Sequence, residues 1–542
     1  MKKKILSLDE LKKKWFLSFE DESSSLDRRA VGTKLQSFTD NNFVTVPGEG
    51  SNYMESYWFD VKAIAGTRTR GTDRPNSQVY GASWKSDNVA MLHSPRRHTP
   101  DKALDFLVWA KRRGVDVYSL ICSNLGNDIP LPGLAINRQA VAYLMKRGVP
   151  AALDRRYPAF GSNHQKIIVD KMYEEKKHKI KHAGAYLGSI DINQDRWDTI
   201  KHDKKRLSGT RVPGFPTHEV GVHISGPAIA DVEWTFLERW NDKSRRRGMH
   251  LPLTVKRKGL PSKITPMVEN YPKSGLHSVQ VLRTYGIPTR RDRNYFSWAK
   301  KGGEFTIWAA YLHAIKQATH YIYIEDQYFF ASGIPPSHRR ANKNARETDI
   351  IYQLGEAIKR GVKVAVLFPM NTLEPKFADP AMRYQRNIAI KYLYDLAKTS
   401  SKGGDFFAAY LYNYTTNTNI YVHSKVMILD DEYALIGSAN INQRSMTCDS
   451  EIQIGVLDKK NEYAKRLRKN LFKEHTGQAE DDPIKAYEHY KKISQIKPQH
   501  ANTKHRVVYF APPFIGKRPK MSKKVSFRMI DPYRGPKTIR KN

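Results

Sequence analysis

The stretch VHSKVMILDD at residues 422–431, together with GSANINQRS at residues 437–445, decides the fold of this chain. A near-copy of its beginning, NHQKIIVD, stands at residues 163–170. Both copies have the apolar run of a buried β-strand, whose side chains alternate between two faces. The histidine and lysine of each copy therefore point the same way. One such pair is most often a solvated strand face, whereas two matching pairs indicate a shared site.

The segments around the two copies follow the same order, which predicts an internal duplication. A helix, a basic end with glycine and an apolar strand precede each copy, over residues 100–124 and 347–371. A Gly-Ser segment and a strand that begins with an acid follow each copy. This alternation predicts an α/β fold with two similar halves, each a mixed sheet flanked by helices. We expect a pseudo-two-fold axis between the halves and one shared active-site cleft.

Changes in composition give the predicted domain boundaries. We assign residues 1–50 to a basic N-terminal extension, 51–245 to the first half, 246–278 to a linker rich in Pro, Gly and basic residues, 279–485 to the second half and 486–542 to a basic C-terminal tail. Because both motifs are in one chain, we expect a monomer.

The net charge of the chain limits the classes of molecule that it is expected to bind. Its 542 residues include 92 Lys and Arg against 54 Asp and Glu, a formal net charge of +38. Such a surface attracts polyanions, so anionic lipids are expected partners and nucleic acid is a further candidate. With only Cys122 and Cys448, neither a disulfide framework nor a thiolate metal site is expected.

Nothing in the sequence indicates a membrane span or a secretory signal peptide. No apolar run reaches the roughly 18 to 20 residues that a transmembrane helix needs. The basic start of the chain lacks an apolar stretch and a cleavage site of small residues. We therefore expect a cytoplasmic or peripheral membrane protein, or export by a route that does not use such a signal.

Two imidazoles and two ammonium groups in one cleft suit chemistry on a phosphodiester. Lys166 and Lys425, with Asn440, can bind the non-bridging oxygens and stabilise charge on five-coordinate phosphorus. One neutral ring of His164 and His423 can attack phosphorus and form a phosphohistidine. The other ring, protonated, can supply the proton of the leaving alcohol and then activate water or an alcohol. Neither motif lies among clustered carboxylates, so no metal or other cofactor is predicted.

Each imidazole also needs a carboxylate that fixes its tautomer. Glu219 and Glu451 are the acids at the start of corresponding strands, EVGVHI and EIQIGV. We therefore expect these two glutamates to orient the two histidines.

These motifs resemble the phospholipase D superfamily. HSKVMILD followed by GSANINQRS matches its His-x-Lys-x4-Asp signature and Gly-Ser-x-Asn turn. YIYIEDQYFF at residues 321–330, GSIDINQDRWD at 188–198 and the segment at 217–241 are similar to parts of its two-motif phospholipases, and not to its small single-motif nucleases. The resemblance covers roughly residues 100–475. It implies that the two halves are phospholipase D-like.

The resemblance also implies a role for each matching residue. His164 would be the nucleophile and His423 the general acid and base. Lys166, Lys425 and Asn440 would hold the phosphate.

Three aspartates in or after the motifs have different expected roles. Asp430 would be a structural acid that braces a loop or the halves. Three residues, where the family has four, separate Lys166 from Asp170. We expect Asp170 to reach the corresponding place because a bulge is missing; the alternative is that it is not the equivalent acid. Asp191 stands where the second half has Asn440 and is a candidate phosphate ligand.

The insertion KMYEEKKHKIKH at residues 171–182 has no counterpart in the second half. Its His178 and His182 have the spacing of helical metal ligands, but the surrounding lysines would repel a cation. No metal site is therefore predicted there.

The sequence favours a phospholipase D that hydrolyses glycerophospholipids such as phosphatidylcholine to phosphatidic acid and the free headgroup, through a phosphohistidine and with transphosphatidylation to alcohols. The first alternative is a nuclease or another phosphodiesterase of the same superfamily, for which the positive charge is the best argument. The second is a non-enzymatic basic protein that binds membranes or nucleic acid. The intact His and Lys of both motifs argue against the second alternative.

Overall fold

Two β-sheets covered by helices form the core of this chain in its computed structural model. The structure describes residues 6–19, 29, 33–48, 50–66, 76–87, 102–123, 135–174, 177, 179–205, 212, 214–255, 260–266, 270–290, 292–299, 302–330, 346–371, 378–496, 506–517 and 530–535. No helix in this described part is both long and apolar enough to cross a membrane.

The first half has nine strands among the described residues, and six of them form the centre of a mixed sheet. Its strands are β1 (Thr39–Thr45), β2 (Asn76–Ser83), β3 (Asp116–Cys122), β4 (Ala151–Asp154), β5 (Ile167–Glu174), β6 (Lys179–Gly188), β7 (Thr217–His218), β8 (Gly221–Ser225) and β9 (Met249–His250). The sheet has the order β8–β6–β5–β2–β3–β4. Its pairs are antiparallel from β8 to β2 and parallel from β2 to β4.

The second half repeats this arrangement. Its strands are β10 (His277–Tyr285), β11 (Glu304–Phe305), β12 (Tyr321–Glu325), β13 (Lys363–Leu367), β14 (Asp405–Asn413), β15 (Thr418–Val422), β16 (Val426–Leu429), β17 (Tyr433–Gly437), β18 (Glu451–Asp458) and β19 (Val507–Phe510). The order β18–β17–β16–β12–β13–β14 has the same pattern of antiparallel and parallel pairs. The predicted α/β fold with two similar halves is therefore confirmed.

Helices cover both sheets, so the central strands are apolar on both faces. They are α1 (Leu8–Trp15), α2 (Gly50–Gly66), α3 (Ala103–Arg112), α4 (Ile136–Lys146), α5 (Ile229–Asn241), α6 (Arg245–Gly248), α7 (Thr306–Gln317), α8 (Ile350–Lys359), α9 (Asp379–Lys398), α10 (Gln443–Thr447), α11 (Tyr463–Thr476) and α12 (Pro483–Ser494). Helices α2, α3 and α4 pack on the first sheet, and α1, α7, α8 and α9 on the second. A third cluster joins α5, α11 and α12 to strands of both sheets.

Parts of the predicted terminal segments belong to this core. Leu11 and Trp15 of α1 are fully buried against the second half. Strand β1 pairs with β8 of the first sheet and with β10, which continues the second sheet beyond β18. Strand β19 pairs with β14. The described parts of residues 1–50 and 486–542 are thus not simple extensions, because their apolar side chains and backbone groups complete the sheets.

The charged insertion of the first half lengthens a β-hairpin. Strands β5 and β6 continue well beyond the histidine–lysine motif, whereas the equivalent β16 and β17 are short. The helical spacing of His178 and His182 therefore does not correspond to a helix, since residues 179–188 form strand β6. His178 itself lies outside the described residues.

Candidate active site

Each histidine motif lies against a segment of the opposite half. The backbone N–H of His164 donates to the carbonyl oxygen of Ser450 at 2.9 Å. In the same way, the N–H of His423 donates to the carbonyl oxygen of His218 at 2.9 Å. Strand β15, which leads into His423, runs parallel to β7 of the first half. These reciprocal contacts bring the two motifs together at the junction of the halves.

The two side-chain pairs also cross between the halves. His164 Nδ1 lies 2.9 Å from Oε2 of Glu451, and His423 Nδ1 lies 2.9 Å from Oε1 of Glu219. Each carboxylate thus holds the ring of the other half, and not the ring of its own. With Nδ1 engaged in this way, the Nε2 atom of each ring is left to face the reacting group.

A serine in each half fixes the carboxylate. Ser189 Oγ donates to Glu219 Oε2, and Ser438 Oγ donates to Glu451 Oε2, both at 2.5 Å. Each serine follows the glycine of its Gly-Ser segment at the end of β6 or β17. The serine hydroxyl of each Gly-Ser segment therefore orients a glutamate, and that glutamate in turn orients a histidine.

The two lysines are buried beside the histidines. Lys166 Nζ donates to the carbonyl oxygen of His164 at 2.9 Å, and Lys425 Nζ donates to that of His423. Lys425 also donates to Oε1 of Gln327 at 3.1 Å. Carbonyl and amide oxygens thus hold both side-chain nitrogens beside the histidines, where they can contact an anion.

Burial lowers the pKa of His164 and of His423 well below the usual value. The charges of Lys166 and Lys425 lower the pKa of both rings further, and Arg196 contributes to the shift of His423. Because each lysine acts on both rings, the four motif side chains form one electrostatic unit. The free site favours neutral imidazole, the form that a nucleophile requires.

Two glutamates and one lysine beside the histidine rings have pKa values shifted toward neutral pH. Burial raises the pKa of Glu451 to about 7 and also raises the pKa of Glu219. Burial lowers the pKa of Lys425 to about 7. A phosphodiester that entered the site would add negative charge, which favours the ammonium and imidazolium forms. Such displaced values are typical of functional sites.

Both side-chain oxygens of Asp191 face groups of the protein. Its Oδ1 accepts hydrogen bonds from the backbone N–H groups of Trp84 and Lys85, at 2.9 and 3.2 Å. Its Oδ2 lies 3.4 Å from Lys166 Nζ. A carboxylate has no proton to donate to a phosphate and repels it. These contacts disagree with the predicted role in phosphate binding, and Asp191 instead positions a lysine.

Asn440 occupies the turn that corresponds to Asp191. The backbone N–H of Asn442 donates to the carbonyl oxygen of Asn440 at 2.9 Å, as Asn193 does to Asp191 at 2.8 Å. An amide can donate to a phosphate oxygen, so the predicted role of Asn440 remains chemically available.

Asp430 joins the end of one strand to the start of another. It accepts hydrogen bonds from the backbone N–H groups of Thr319, His320 and Tyr321, at 2.9, 2.9 and 3.0 Å. Its φ of 54° starts the turn between β16 and β17. The contacts connect β16 to the beginning of β12 and involve no group of the cleft.

Asp170 does not occupy the corresponding place. It lies within β5, opposite Val79 and Gly184, and its Oδ2 is 2.7 Å from His182 Nε2. One residue fewer after the lysine puts Asp170 at the strand position of Leu429, and the longer hairpin makes no turn there. The structure therefore contradicts the expectation that a missing bulge brings Asp170 to the equivalent position.

A buried His–Glu network behind the site was missed in the sequence. His202 Nε2 and His218 Nδ1 each lie 3.0 Å from Glu474 Oε1, and His218 Nε2 lies 3.0 Å from Glu325 Oε2. It connects residues of both halves and includes the neighbour of Glu219. His218 and Glu325 lie inside the segments at 217–241 and 321–330, so those segments could have indicated them. No sequence pattern indicated His202 or Glu474.

An aromatic residue and a cation of the cleft were missed too. The ring of Trp84 meets that of His164 edge-on, with 6.0 Å between centroids. Arg196 Nε lies 3.4 Å from Glu219 Oε1. Arg196 belongs to the quoted segment at 188–198, whereas no pattern marked Trp84.

Two family models match the chain. Residues 150–372 match the model described as "Phospholipase D", and residues 311–475 match the model described as "Cardiolipin synthase, PLD-like domain". Together the matches contain both histidine–lysine motifs.

Curated relatives are similar to more than half of the chain. The chain is 28% identical over 411 residues to phospholipase D alpha 2 of Oryza sativa subsp. japonica, covering 59% of the chain and 49% of the relative. It is 28% identical over 444 residues to phospholipase D delta of Arabidopsis thaliana, covering 62% and 50%. The chain thus spans about half the length of these relatives.

A solved structure has a similar fold. The crystal structure of phosphatidylserine synthase from Haemophilus influenzae Rd KW20 superposes with a TM-score of 0.50 and 14% identity. The superposition covers 84% of the chain and 94% of the synthase. At this identity the similarity concerns the fold alone.

Proposed function

Because the chain belongs to the phospholipase D superfamily, we propose that it hydrolyses glycerophospholipids such as phosphatidylcholine to phosphatidic acid and the free headgroup. The observation that carries this proposal is the crossed pair of contacts, His164 with Glu451 and His423 with Glu219. It leaves two imidazole Nε2 atoms and two lysines for one phosphodiester. Transfer of the phosphatidyl group to an alcohol uses the same groups.

In the first step, the Nε2 atom of neutral His164 attacks phosphorus. The new N–P bond forms while the bond from phosphorus to the headgroup oxygen breaks, and that oxygen takes a proton from Nε2 of His423. Lys166 and Lys425 balance the charge on the non-bridging oxygens. The substrate's own negative charge offsets the two lysines and allows His423 to carry this proton.

In the second step, a water molecule gives a proton to Nε2 of His423 while its oxygen bonds to phosphorus. The P–N bond to His164 breaks, and phosphatidic acid leaves. An alcohol in place of water yields a phosphatidylalcohol. Both rings return to their starting protonation states.

Two observations favour a lipid over nucleic acid. The matched relatives are named as phospholipases D. A narrow cavity of about 50 Å³ also adjoins Lys166, lined largely by apolar side chains that include Leu104, Leu107 and Ile192. Such a lining suits the hydrocarbon of a lipid and offers little to a nucleotide base.

The roles of the two histidines are tested with a phosphatidyl ester of p-nitrophenol. This leaving group departs without a proton, so His423→Ala is expected to release p-nitrophenolate in a burst of about one equivalent and to retain the phosphatidyl group covalently. His164→Ala is expected to show no burst. A burst in His164→Ala and none in His423→Ala would reverse the two roles; none in either variant would exclude the covalent route.

The substrate class is tested by offering mixed phospholipid vesicles and plasmid DNA separately to the wild-type chain and to His423→Ala. We expect headgroup release by the wild type alone, and phosphatidylbutanol when 1-butanol is present. DNA cleavage that disappears in His423→Ala, without any lipid turnover, would identify a nuclease. No turnover of either substrate would support a binding protein.

A further inference from the structure

A second cluster of titratable groups lies outside the cleft, between α2 and strands β5, β6 and β8. We propose that Asp60, Asp170, His182 and His223 bind one divalent transition-metal ion of the zinc type. His182 Nε2 lies 2.7 Å from Asp170 Oδ2 and 3.9 Å from Asp60 Oδ1. His223 Nε2 lies 3.6 Å from Asp60 Oδ2. This site is independent of the proposed hydrolase activity.

Two atoms of the cluster are buried without a hydrogen bond. Asp170 is 0% exposed, and its Oδ1 has no hydrogen-bond partner among the described residues. The same is true of the buried Nε2 of His223. Leaving such groups unsatisfied destabilises a fold, and more so for a charged group. A cation in contact with both atoms would remove this cost.

A glycine leaves space for the ion. Gly184 is paired with Asp170 across the hairpin. A Cβ atom at this glycine would lie 2.6 Å from His223 Nε2 and 3.4 Å from Asp170 Oδ1. The space is therefore bounded by two of the candidate ligands, and any larger residue at this position would fill it.

The donor set and its spacing fit zinc. Two imidazole nitrogens and two carboxylates are typical protein ligands of zinc, with bonds of about 2.0–2.2 Å. A tetrahedron with such bonds separates its ligand atoms by roughly 3.4 Å. The separations of 2.7, 3.6 and 3.9 Å join three of the six pairs of candidate ligands and lie on both sides of this value. Ligand atoms of Asp60, Asp170 and His182 all lie within 4.8 Å of one another.

The neighbouring groups favour a cation despite the lysines of the insertion. The cluster contains the carboxyl groups of Asp60 and Asp170 beside the two imidazoles. Lys177 and Lys181 do not point into the cluster, because each pairs with Glu174 at 3.2 Å. The hydroxyl of Tyr186 donates to Asp60 Oδ2 at 2.5 Å and orients that carboxylate.

The buried network behind the active site is a weaker candidate. Its three closest donor atoms, in His202, His218 and Glu474, also lie near one another. There, however, both ring nitrogens of His218 face a carboxylate at 3.0 Å, and His202 Nδ1 lies 2.9 Å from the carbonyl oxygen of Thr217. Both ring nitrogens of His202 and of His218 therefore already have partners within the protein.

Direct metal binding tests the proposal. The full chain, stripped with EDTA and dialysed, is titrated with Zn²⁺ by calorimetry, and Co²⁺ is added to a second sample. We expect one Zn²⁺ per chain and the visible absorption of tetrahedral Co²⁺. Asp60→Asn and His182→Gln should each weaken Zn²⁺ binding at least tenfold. Gly184→Ala should do the same while keeping every ligand.

Matched variants elsewhere serve as controls. Asp395→Asn and His489→Gln make the same chemical changes on α9 and α12, and both should bind Zn²⁺ like the wild type. His423→Ala should also bind it normally, so failure of the proposed activity leaves this test intact. The proposal is wrong if the wild type binds no Zn²⁺, if the cluster variants bind it unchanged, or if only His202→Gln abolishes binding.

Discussion

His164 and His423 have matching partners but different access to solvent. The side chain of His164 is 14% exposed and that of His423 only 3%. Each ring is fixed at Nδ1 by a carboxylate that belongs to the opposite half. Each half therefore depends on the other for a correctly oriented imidazole. Substitutions of the two carboxylates test the site as directly as substitutions of the histidines.

Replacing Glu219 or Glu451 by Gln should reduce kcat by about 10²-fold or more, with a smaller effect on KM. The amide keeps the size of the carboxylate but loses the charge that fixes the tautomer and stabilises imidazolium. Steady-state hydrolysis of a short-chain phosphatidylcholine measures both constants.

Glu488→Gln is the matched control, because this exposed glutamate pairs with Lys363 on the surface. Its kinetics should equal those of the wild type. If Glu451→Gln retained full kcat, the orientation of His164 by this carboxylate would be refuted.

The pH dependence follows from Lys425 and Glu451. Burial lowers the pKa of Lys425 to about 7, so its ammonium is present below pH 7 and lost above it. Burial raises the pKa of Glu451 to about 7, so its carboxylate is present above pH 7 and lost below it. We expect kcat/KM to be greatest near pH 7 and to fall on both sides.

Profiles of kcat/KM from pH 5 to 9 provide the test. In Lys425→Arg, the alkaline limb should move to higher pH, because guanidinium keeps its charge. A profile that stayed flat from pH 6 to 9 would contradict this assignment.

At the scale of the elements, two equivalent hairpins differ because their motifs differ by one residue. In the second half the strand ends at Leu429, and Asp430 begins a turn whose carboxylate is anchored to the start of β12. In the first half, β5 continues past Asp170, which becomes an in-strand acid facing β6. The same residue type therefore stabilises a turn in one half and lines a separate cluster in the other.

Asp430→Ala should lower the free energy of unfolding by about 3 kcal/mol. The substitution leaves three backbone N–H groups without their acceptor, and that of Tyr321 is buried. Urea denaturation followed by circular dichroism measures the change.

Asp395→Ala removes a carboxylate that is half exposed and pairs with Lys391 on the surface. It should cost less than 1 kcal/mol. Equal losses in the two variants would show that the contacts of Asp430 add nothing to stability.

At the scale of the whole molecule, the duplication determines contacts at the junction of the two halves, whereas the net charge acts over the entire surface. The two sheets have the same strand order, and their histidine–carboxylate contacts cross at the junction. The net charge of +38 instead acts over the surface and favours anionic partners before any substrate reaches the cleft. The predicted binding to anionic membranes and the proposed turnover can therefore be tested separately.

Binding to vesicles with 30% phosphatidylserine should be strong at 50 mM NaCl and at least tenfold weaker at 500 mM. Salt screens the attraction between exposed charges. Co-sedimentation of His423→Ala with the vesicles measures binding without turnover. Pure phosphatidylcholine vesicles are the control and should bind little at either salt concentration; equal binding to both would exclude an electrostatic origin.

Periodicity and motif order predicted the fold well, because helix and strand patterns are local properties of the chain. The same local patterns indicated the four candidate site residues of the two motifs, His164, Lys166, His423 and Lys425. Trp84 was not, since its contact with His164 joins segments far apart in the sequence. The position of Asp170 was misjudged because the length of a hairpin is determined by pairing with β6 and not by the motif.

The sequence by itself determined the duplicated α/β architecture and the residue types available for phosphodiester chemistry. Only the tertiary structure decided which carboxylate serves which histidine, that Asp191 faces a lysine, and that Asp170 joins Asp60, His182 and His223. The physical reason is that alternation within a strand selects a face, whereas the partner on that face comes from a distant segment that only packing brings near.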